Sequence, residues 1–223
     1  MNDPKSPQTS PHSGIFVVLE GGEGAGKTTQ LGLLEEWLLA AGRPVVRTRE
    51  PGGTEIGERI RTLVLDHGQG HVDPRTEALL MAASRAAHVQ QKIRPALESG
   101  AVVLCDRYVD SSLAYQGAGR GLGVEAVEQV NDWATDGLAP DVTVVLDLIP
   151  ELSRQRRSTR DGGSGGDRIE SAEDSFHTIL RQAFLDRAAQ APDRYVVLDA
   201  SASVEQIQQR IRERVSLELE ARR

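Results

Sequence analysis

The chain has 223 residues, of which 39% are hydrophobic and 26% are charged, and its formal net charge is −7. This length suits a single α/β domain, and the composition is that of a globular protein and too polar for a membrane span. The excess of acidic residues also argues against a dedicated nucleic-acid binder, which needs a surface rich in Lys and Arg.

The chain begins with residues 1–14, which are rich in Pro and Ser and lack the apolar core of a signal peptide. We therefore expect a flexible tail at 1–14, one domain at 15–223 and a cytoplasmic protein. The chain has one cysteine, Cys105, in an apolar run. Without a partner, this thiol is expected to be a small buried apolar group in a reducing compartment.

The first predicted element is a buried strand over residues 15–19, followed by the sequence GGEGAGKT at 21–28. This sequence fits the pattern G-x-x-x-x-G-K-[ST], in which glycines bring backbone N–H groups close to phosphate oxygens. The Lys27 ammonium can reach the β- and γ-phosphates of ATP, and the Thr28 hydroxyl can bind Mg²⁺. A Gly-rich turn without a ligand is the alternative. The residues expected to bind nucleotide are Gly21, Gly22, Glu23, Gly24, Ala25, Gly26, Lys27, Thr28 and Thr29.

The remaining elements alternate between apolar runs and amphipathic segments. Further strands are predicted at 45–48, 101–105, 142–148 and 195–198. Helices are predicted from the loop to residue 41, from 54 to 65, and over 74–98, 108–116, 123–137, 173–190 and about 204–215, with a polar helix after residue 148. Strands separated by helices predict an α/β protein of the P-loop NTPase fold, with a central parallel sheet flanked by helices. Ligands of such sheets bind at the carboxyl ends of the strands.

Two charged residues follow the strand at 101–105. Asp106 is in position to bind Mg²⁺ directly or through water, although a strand-end Asp can instead cap a helix. The Arg107 guanidinium can bind a phosphate through two parallel hydrogen bonds. The alternative for Arg107 is an exposed surface arginine.

A third charged region, 154–170, joins four arginines to a Gly-rich stretch and then to the sequence DRIE. This combination predicts a mobile lid. Arginines on a closing lid can stabilise the negative charge of a transferring phosphoryl group, and closure excludes water. A solvated helix with a disordered loop is the alternative.

Several of these segments occur in an order that resembles the bacterial thymidylate kinase (dTMP kinase) family: GGEGAGKTT, TREPGGT, TEALLMAASRAAH, CDRYVDSSLAYQGAGRG, PDVTVVLD and DRIE. The resemblance extends from Ile15 to the C-terminal helix. The phosphate loop alone would fit many NTPases, whereas REPGGT together with DRY and AYQG fits few others. The resemblance implies ATP-dependent phosphorylation of dTMP to dTDP by a homodimer, with Mg²⁺.

The resemblance also implies roles for individual residues. Lys27, Thr28 and Asp106 would serve ATP and Mg²⁺. The dTMP site would consist of Glu23 near the 3′-hydroxyl of the sugar, Arg49 and Arg107 at the phosphate with Arg61 in support, Arg85 and Gln116 at thymine with Ser112 beside them, and Tyr115 against the 2′ position of the sugar.

Two features distinguish this chain within the family. No basic residue precedes Lys27 in the loop, so the resemblance implies that the catalytic arginine lies in the lid, with Arg156, Arg160 and Arg168 as candidates. Many relatives have an aromatic residue that stacks on thymine where this chain has Met81, which can contact the ring through its thioether or belong to the core.

Two other functions would use the same phosphate loop. A different nucleoside monophosphate kinase would share the loop, the lid and Mg²⁺, and would differ at Tyr115 and Gln116. A GTPase-type switch protein would order and release a partner surface on hydrolysis. The chain has no N-K-x-D sequence to recognise guanine.

Overall fold

The computed structural model describes residues 13–161 and 174–222, without the side chains of 157–161 and 174. Within these ranges five strands form one sheet: β1 (Ile15–Glu20), β2 (Val45–Arg49), β3 (Val102–Asp106), β4 (Val142–Asp147) and β5 (Tyr195–Asp199). Their order is β2-β3-β1-β4-β5, and every neighbouring pair is parallel. This confirms the predicted parallel sheet, with strand bounds within about one residue of those expected.

Helices connect the strands on both faces of the sheet. They are α1 (Lys27–Ala40), α2 (Glu55–Leu65), α3 (Pro74–His88), α4 (Arg94–Glu98), α5 (Val109–Ser112), α6 (Val124–Thr135), α7 (Pro150–Asp161), α8 (Asp174–Gln190) and α9 (Val204–Ala221). Local side chains fix several of their starts. The Thr54 hydroxyl accepts a hydrogen bond from Gly57 N at the start of α2, and Asp73 accepts from Arg75 N and Thr76 N at the start of α3.

The long helix predicted at 74–98 is present, but its middle is a π-helical turn at Val89–Ile93 between α3 and α4. Pro95 follows this turn. Proline has no N–H and its ring clashes with the carbonyl four residues earlier, so a wider turn lets the helix continue past it. A second π-helical segment, Leu113–Gly119, extends α5 and replaces the regular helix predicted over 108–116.

The core lies on both faces of the sheet because alternate residues of each strand point in opposite directions. Val17 and Leu19 of β1 pack with α1 and α9, whereas Phe16 and Val18 pack with the π turn and α4. Cys105 lies in the second of these clusters and is fully buried, as predicted. No helix in the described ranges is long and apolar enough to cross a membrane.

The parallel strands bring the predicted functional segments to one edge. Leu19 of β1 and Arg49 of β2 are both register partners of Asp106 in β3. The phosphate loop follows β1, the Arg49 loop follows β2, and α7 begins soon after β4. The site is therefore built at the carboxyl ends of the strands, as parallel α/β sheets require.

Candidate active site

The loop at residues 21–26 turns through backbone conformations that favour glycine. Gly21, Gly24 and Gly26 have φ angles of 130°, 69° and 95°. Lys27 curls back over this turn, since its Nζ donates to Gly21 O at 3.1 Å and to Gly22 O at 3.0 Å. Burial, reinforced by the nearby Arg107 charge, lowers the pKa of Lys27 to about 8. Two loop carbonyl groups thus hold the lysine close to the loop. A bound anion can take their place as the partner of the Lys27 ammonium.

Thr28 and Asp106 meet beside this loop. The Thr28 hydroxyl donates to Asp106 Oδ2 at 3.3 Å. The alternative in which Asp106 caps the next helix is not observed, because α5 has Tyr108 at its N-cap and no side-chain cap there. A hydroxyl and a carboxylate oxygen therefore lie together at the end of β3, next to the start of α1.

Arg107 contacts the phosphate loop through its side chain. Its φ of 69° turns the chain, and its guanidinium Nη1 donates to Gly21 O and to Ser111 Oγ, both at 3.1 Å. The guanidinium lies 5.2 Å from the centre of the Tyr115 ring. Burial alone would lower the pKa of Arg107, but Tyr115 and nearby carboxylates outweigh burial and raise it. Arg107 is therefore a fixed cation inside the site and not a free surface arginine.

Glu20 is an important residue that the sequence reasoning missed. It ends β1, is completely buried, and accepts hydrogen bonds from Tyr108 N at 2.8 Å, Ser111 N at 3.2 Å and Ser111 Oγ at 2.7 Å. Burial and the neighbouring charge of Asp110 raise the pKa of Glu20 to about 7. Glu20 thereby fixes the start of α5 and the hydroxyl that contacts Arg107. The only sequence signal was an acidic residue at the end of an apolar strand.

A cavity opens beside the loop and contains about 600 Å³ of space, including its mouth. Its wall brings together eight of the nine residues predicted to bind dTMP: Glu23, Arg61, Met81, Arg85, Arg107, Ser112, Tyr115 and Gln116. The sequence reasoning missed four further lining residues: Glu50, Pro51, Leu65 and Ser111. Arg49 is not part of this wall. It instead donates to Glu58 Oε2 at 2.8 Å, with about half of its side chain exposed.

Arg85 is almost fully buried in the cavity wall, with 3% exposed. It donates four hydrogen bonds, to Glu50 Oε2, Ser112 Oγ, Asn131 Oδ1 and Tyr108 O. A guanidinium has five N–H donors, and these contacts use four of them. The wall therefore holds a rigidly placed cation at this position.

Two other lining residues combine core and cavity contacts. Met81 packs in a cluster with Ile60 and Val64 of α2 and also faces the cavity, so the two roles considered for it are compatible. Tyr115 packs edge to face with Phe176, at 6.0 Å between ring centres. Its buried hydroxyl has no hydrogen-bond partner among the described residues.

The helix α7 holds the outer side of the phosphate loop. Ser153 Oγ donates to Glu23 O at 2.7 Å, and Arg156 donates to Gly24 O at 3.2 Å and to Ala200 O at 2.9 Å. The predictions for the Arg160 side chain, for Arg168, for the lid after residue 161 and for the tail before residue 13 fall outside the described residues.

These features define a class of protein. P-loop NTPases are characterised by a glycine-rich loop that is followed by a lysine and lies at the carboxyl edge of a parallel sheet. An acidic residue on the adjacent strand lies beside this loop. The cavity beside the loop is lined by Glu23, which belongs to the loop, and by Arg107, which contacts it. This cavity indicates a P-loop enzyme with room for a second ligand.

Comparisons with known proteins give the family. The thymidylate kinase family model matches residues 19–211. The thymidylate kinase of Cutibacterium acnes is 52% identical over 203 residues, which cover 91% of this chain and 97% of the relative. That of Deinococcus radiodurans is 52% identical over 198 residues, covering 89% and 94%. The crystal structure of thymidylate kinase from Ehrlichia chaffeensis aligns with a TM-score of 0.72 at 30% identity, covering 91% of this chain and 98% of that one. The chain belongs to the thymidylate kinase family, as the sequence resemblance implied.

Proposed function

We propose that the protein transfers the γ-phosphoryl group of ATP to dTMP, giving dTDP and ADP by direct in-line displacement. The observation that carries this proposal is the shared wall between two sites. Glu23 belongs to the phosphate loop and lines the neighbouring cavity, and Arg107 contacts Gly21 O while lining the same cavity. A donor in the loop and an acceptor in the cavity would meet at these two residues.

The reaction needs positioning more than covalent chemistry. A phosphate oxygen of dTMP attacks the γ-phosphorus while the bond to the β–γ bridging oxygen breaks and ADP leaves. The loop N–H groups, the N-terminus of α1 and Lys27 would hold the donor phosphates. Arg107 would hold the acceptor phosphate, and its contact with Ser111 fixes it before the ligand arrives.

The residues at the end of β3 suit Mg²⁺. This ion usually binds through one or two protein oxygens, together with phosphate oxygens and waters. Thr28 and Asp106 offer one hydroxyl and one carboxylate, 3.3 Å apart. When bound, Mg²⁺ supplies positive charge that offsets the charge of the triphosphate.

The catalytic arginine is proposed to come from the lid that begins in α7. Arg156, Arg160 and Arg168 are the candidates. In this structure Arg156 bonds to two backbone carbonyl groups on the outer side of the loop, which supports an anchoring role for it. Closure of the segment would bring positive charge to the transferring group and exclude water.

The assembly is proposed to be a cytoplasmic homodimer. Ile56 and Leu63 on α2 and Leu79 on α3 are each 44% to 54% exposed, and these two helices pack against each other. Apolar side chains in this arrangement support burial against a second copy. Light scattering should give a dimer for the wild type and a smaller mass for Leu79→Glu.

A panel of acceptors tests the reaction. Purified protein with ATP and Mg²⁺ is given dTMP, CMP, AMP or GMP separately, and ADP release is followed to obtain kcat/KM. We expect dTMP to be the best acceptor. Preference for another monophosphate would support a different kinase, and GTP hydrolysis at full rate without any acceptor would support a switch protein.

A further inference from the structure

A buried carboxylate lies behind the cavity wall, where it contacts a lining side chain. Glu77 of α3 is 1% exposed and does not itself line the cavity. It accepts a hydrogen bond from Gln116 Nε2 at 2.9 Å. The same carboxylate accepts from Arg120, with Nε 3.3 Å from Oε1 and Nη2 3.5 Å from Oε2, and this guanidinium lies 5.3 Å from the centre of the Phe176 ring. The resemblance assigned no role to Glu77 or Arg120.

The contact decides which end of the Gln116 amide faces Glu77. An amide has a donor end and an acceptor end, whereas an ionised carboxylate only accepts. The nitrogen of Gln116 must therefore face Glu77. Among the described residues none donates to Gln116 Oε1, and the side chain lines the cavity. A ligand in the cavity consequently meets an amide of fixed orientation, with its acceptor oxygen free.

An acceptor of fixed orientation distinguishes pyrimidine bases. Thymine and uracil carry an N3–H donor, whereas neutral cytosine has an acceptor at N3 and an amino donor at C4. The free oxygen of Gln116 suits N3–H and opposes the lone pair of cytosine N3. Turning the amide to suit cytosine would place Gln116 Oε1 against an oxygen of the buried Glu77 carboxylate, so that two acceptors would face each other and the Gln116 oxygen would gain no donor from Glu77.

We propose that Glu77 is a positioning residue that fixes the orientation of the Gln116 amide and so restricts the enzyme to monophosphates whose base carries N3–H. This inference rests on the proposed function and adds the physical origin of its choice among pyrimidines.

The test is the ratio of kcat/KM for dTMP to that for dCMP in Glu77→Gln. A glutamine at 77 can donate as well as accept, so the Gln116 amide is free to take either orientation while the shape of the site is kept. The ratio is expected to fall at least tenfold, through a higher KM for dTMP and a gain in activity with dCMP. Damage to the fold would lower both activities and would give no gain.

Two variants control this measurement. Arg120→Gln keeps Glu77 and should keep the ratio within about twofold of wild type. The double variant Glu77→Gln with Arg120→Gln leaves no unpaired guanidinium beside residue 77 and should show the lowered ratio even where the single variant folds poorly. An unchanged ratio in a folded Glu77→Gln variant, whether at full activity or with an equal loss for both acceptors, would overturn the inference. A wild type without preference for dTMP over dCMP would instead overturn the proposed function.

Discussion

Replacing Gly21 with alanine tests how the phosphate loop is fixed to the sheet. Gly21 has a φ of 130°, which side chains rarely adopt, and a Cβ there would lie 2.5 Å from Leu146 O. That oxygen belongs to the backbone of β4, which is paired on both sides, so it cannot move aside. Gly22 is a matched control, because a Cβ there meets nothing within 4 Å.

The expected cost has two parts. An unfavourable backbone conformation costs about 1–3 kcal/mol, and forcing extra atoms into a packed site costs about another 1–3 kcal/mol. Gly21→Ala should therefore lower the free energy of unfolding by about 2–6 kcal/mol, whereas Gly22→Ala should change it by less than about 0.5 kcal/mol. Any relief by moving residue 21 would also displace its carbonyl, which accepts from both Lys27 and Arg107.

Urea unfolding of the wild type and both variants measures the difference directly, and thermal unfolding should show a drop in Tm on the order of 10 °C for Gly21→Ala. The same samples give kcat/KM for dTMP, which should fall steeply in Gly21→Ala because the carbonyl that accepts from Lys27 and Arg107 is displaced. Equal stability of the two alanine variants would refute the packing described for the loop.

Three further changes probe the site. Arg107→Ala should lower kcat with dTMP by at least about 100-fold at saturating substrates, since a charge-assisted contact to the reacting phosphate is lost; undiminished turnover would remove Arg107 from the mechanism. Because the pKa of Glu20 is raised from 4.5 to about 7, its contribution to stability is full below pH 4.5 and is lost as the pH rises to 7. This loss is on the order of 3 kcal/mol. The free energy of unfolding, measured from pH 4.5 to pH 7, should therefore decline less for Glu20→Gln than for wild type. An identical dependence on pH in the two proteins would contradict this role of Glu20. Among Arg156→Ala, Arg160→Ala and Arg168→Ala, assayed under saturating conditions, one should lose kcat by at least about 100-fold with little change in KM. Three active variants would argue against a lid arginine.

Much of the fold was predictable because its signals are local. Short segments of four to seven residues, most of them apolar runs, predicted all five strands of the described sheet, and the glycine pattern predicted the loop. Parallel pairing then required Asp106 and Arg107 to reach the edge where the loop lies. Contacts between segments 78 and 86 residues apart in sequence therefore followed from topology alone.

The buried carboxylates were not predictable because their partners are distant in sequence. Glu20 is satisfied by residues 108 and 111, Glu50 by Arg85 and His88, and Glu77 by Gln116 and Arg120. No periodicity distinguishes such a residue from an exposed acid. Arg49 does not line the cavity as predicted for a related reason, since Glu58 of the following helix offers it an opposite charge. The two π-helical segments also lack a distinct pattern, because a π turn differs from an α turn only in which carbonyl each N–H meets.

Product analysis in a mixed-acceptor reaction shows directly whether the protein transfers the γ-phosphoryl group of ATP to dTMP. ATP labelled at the γ-phosphate is incubated with the protein, Mg²⁺ and equal concentrations of dTMP, CMP, AMP and GMP, and the labelled products are separated. We expect the label to enter the β-phosphate of dTDP in preference to any other nucleotide. Label found chiefly as inorganic phosphate, or in the diphosphate of another base, would contradict it.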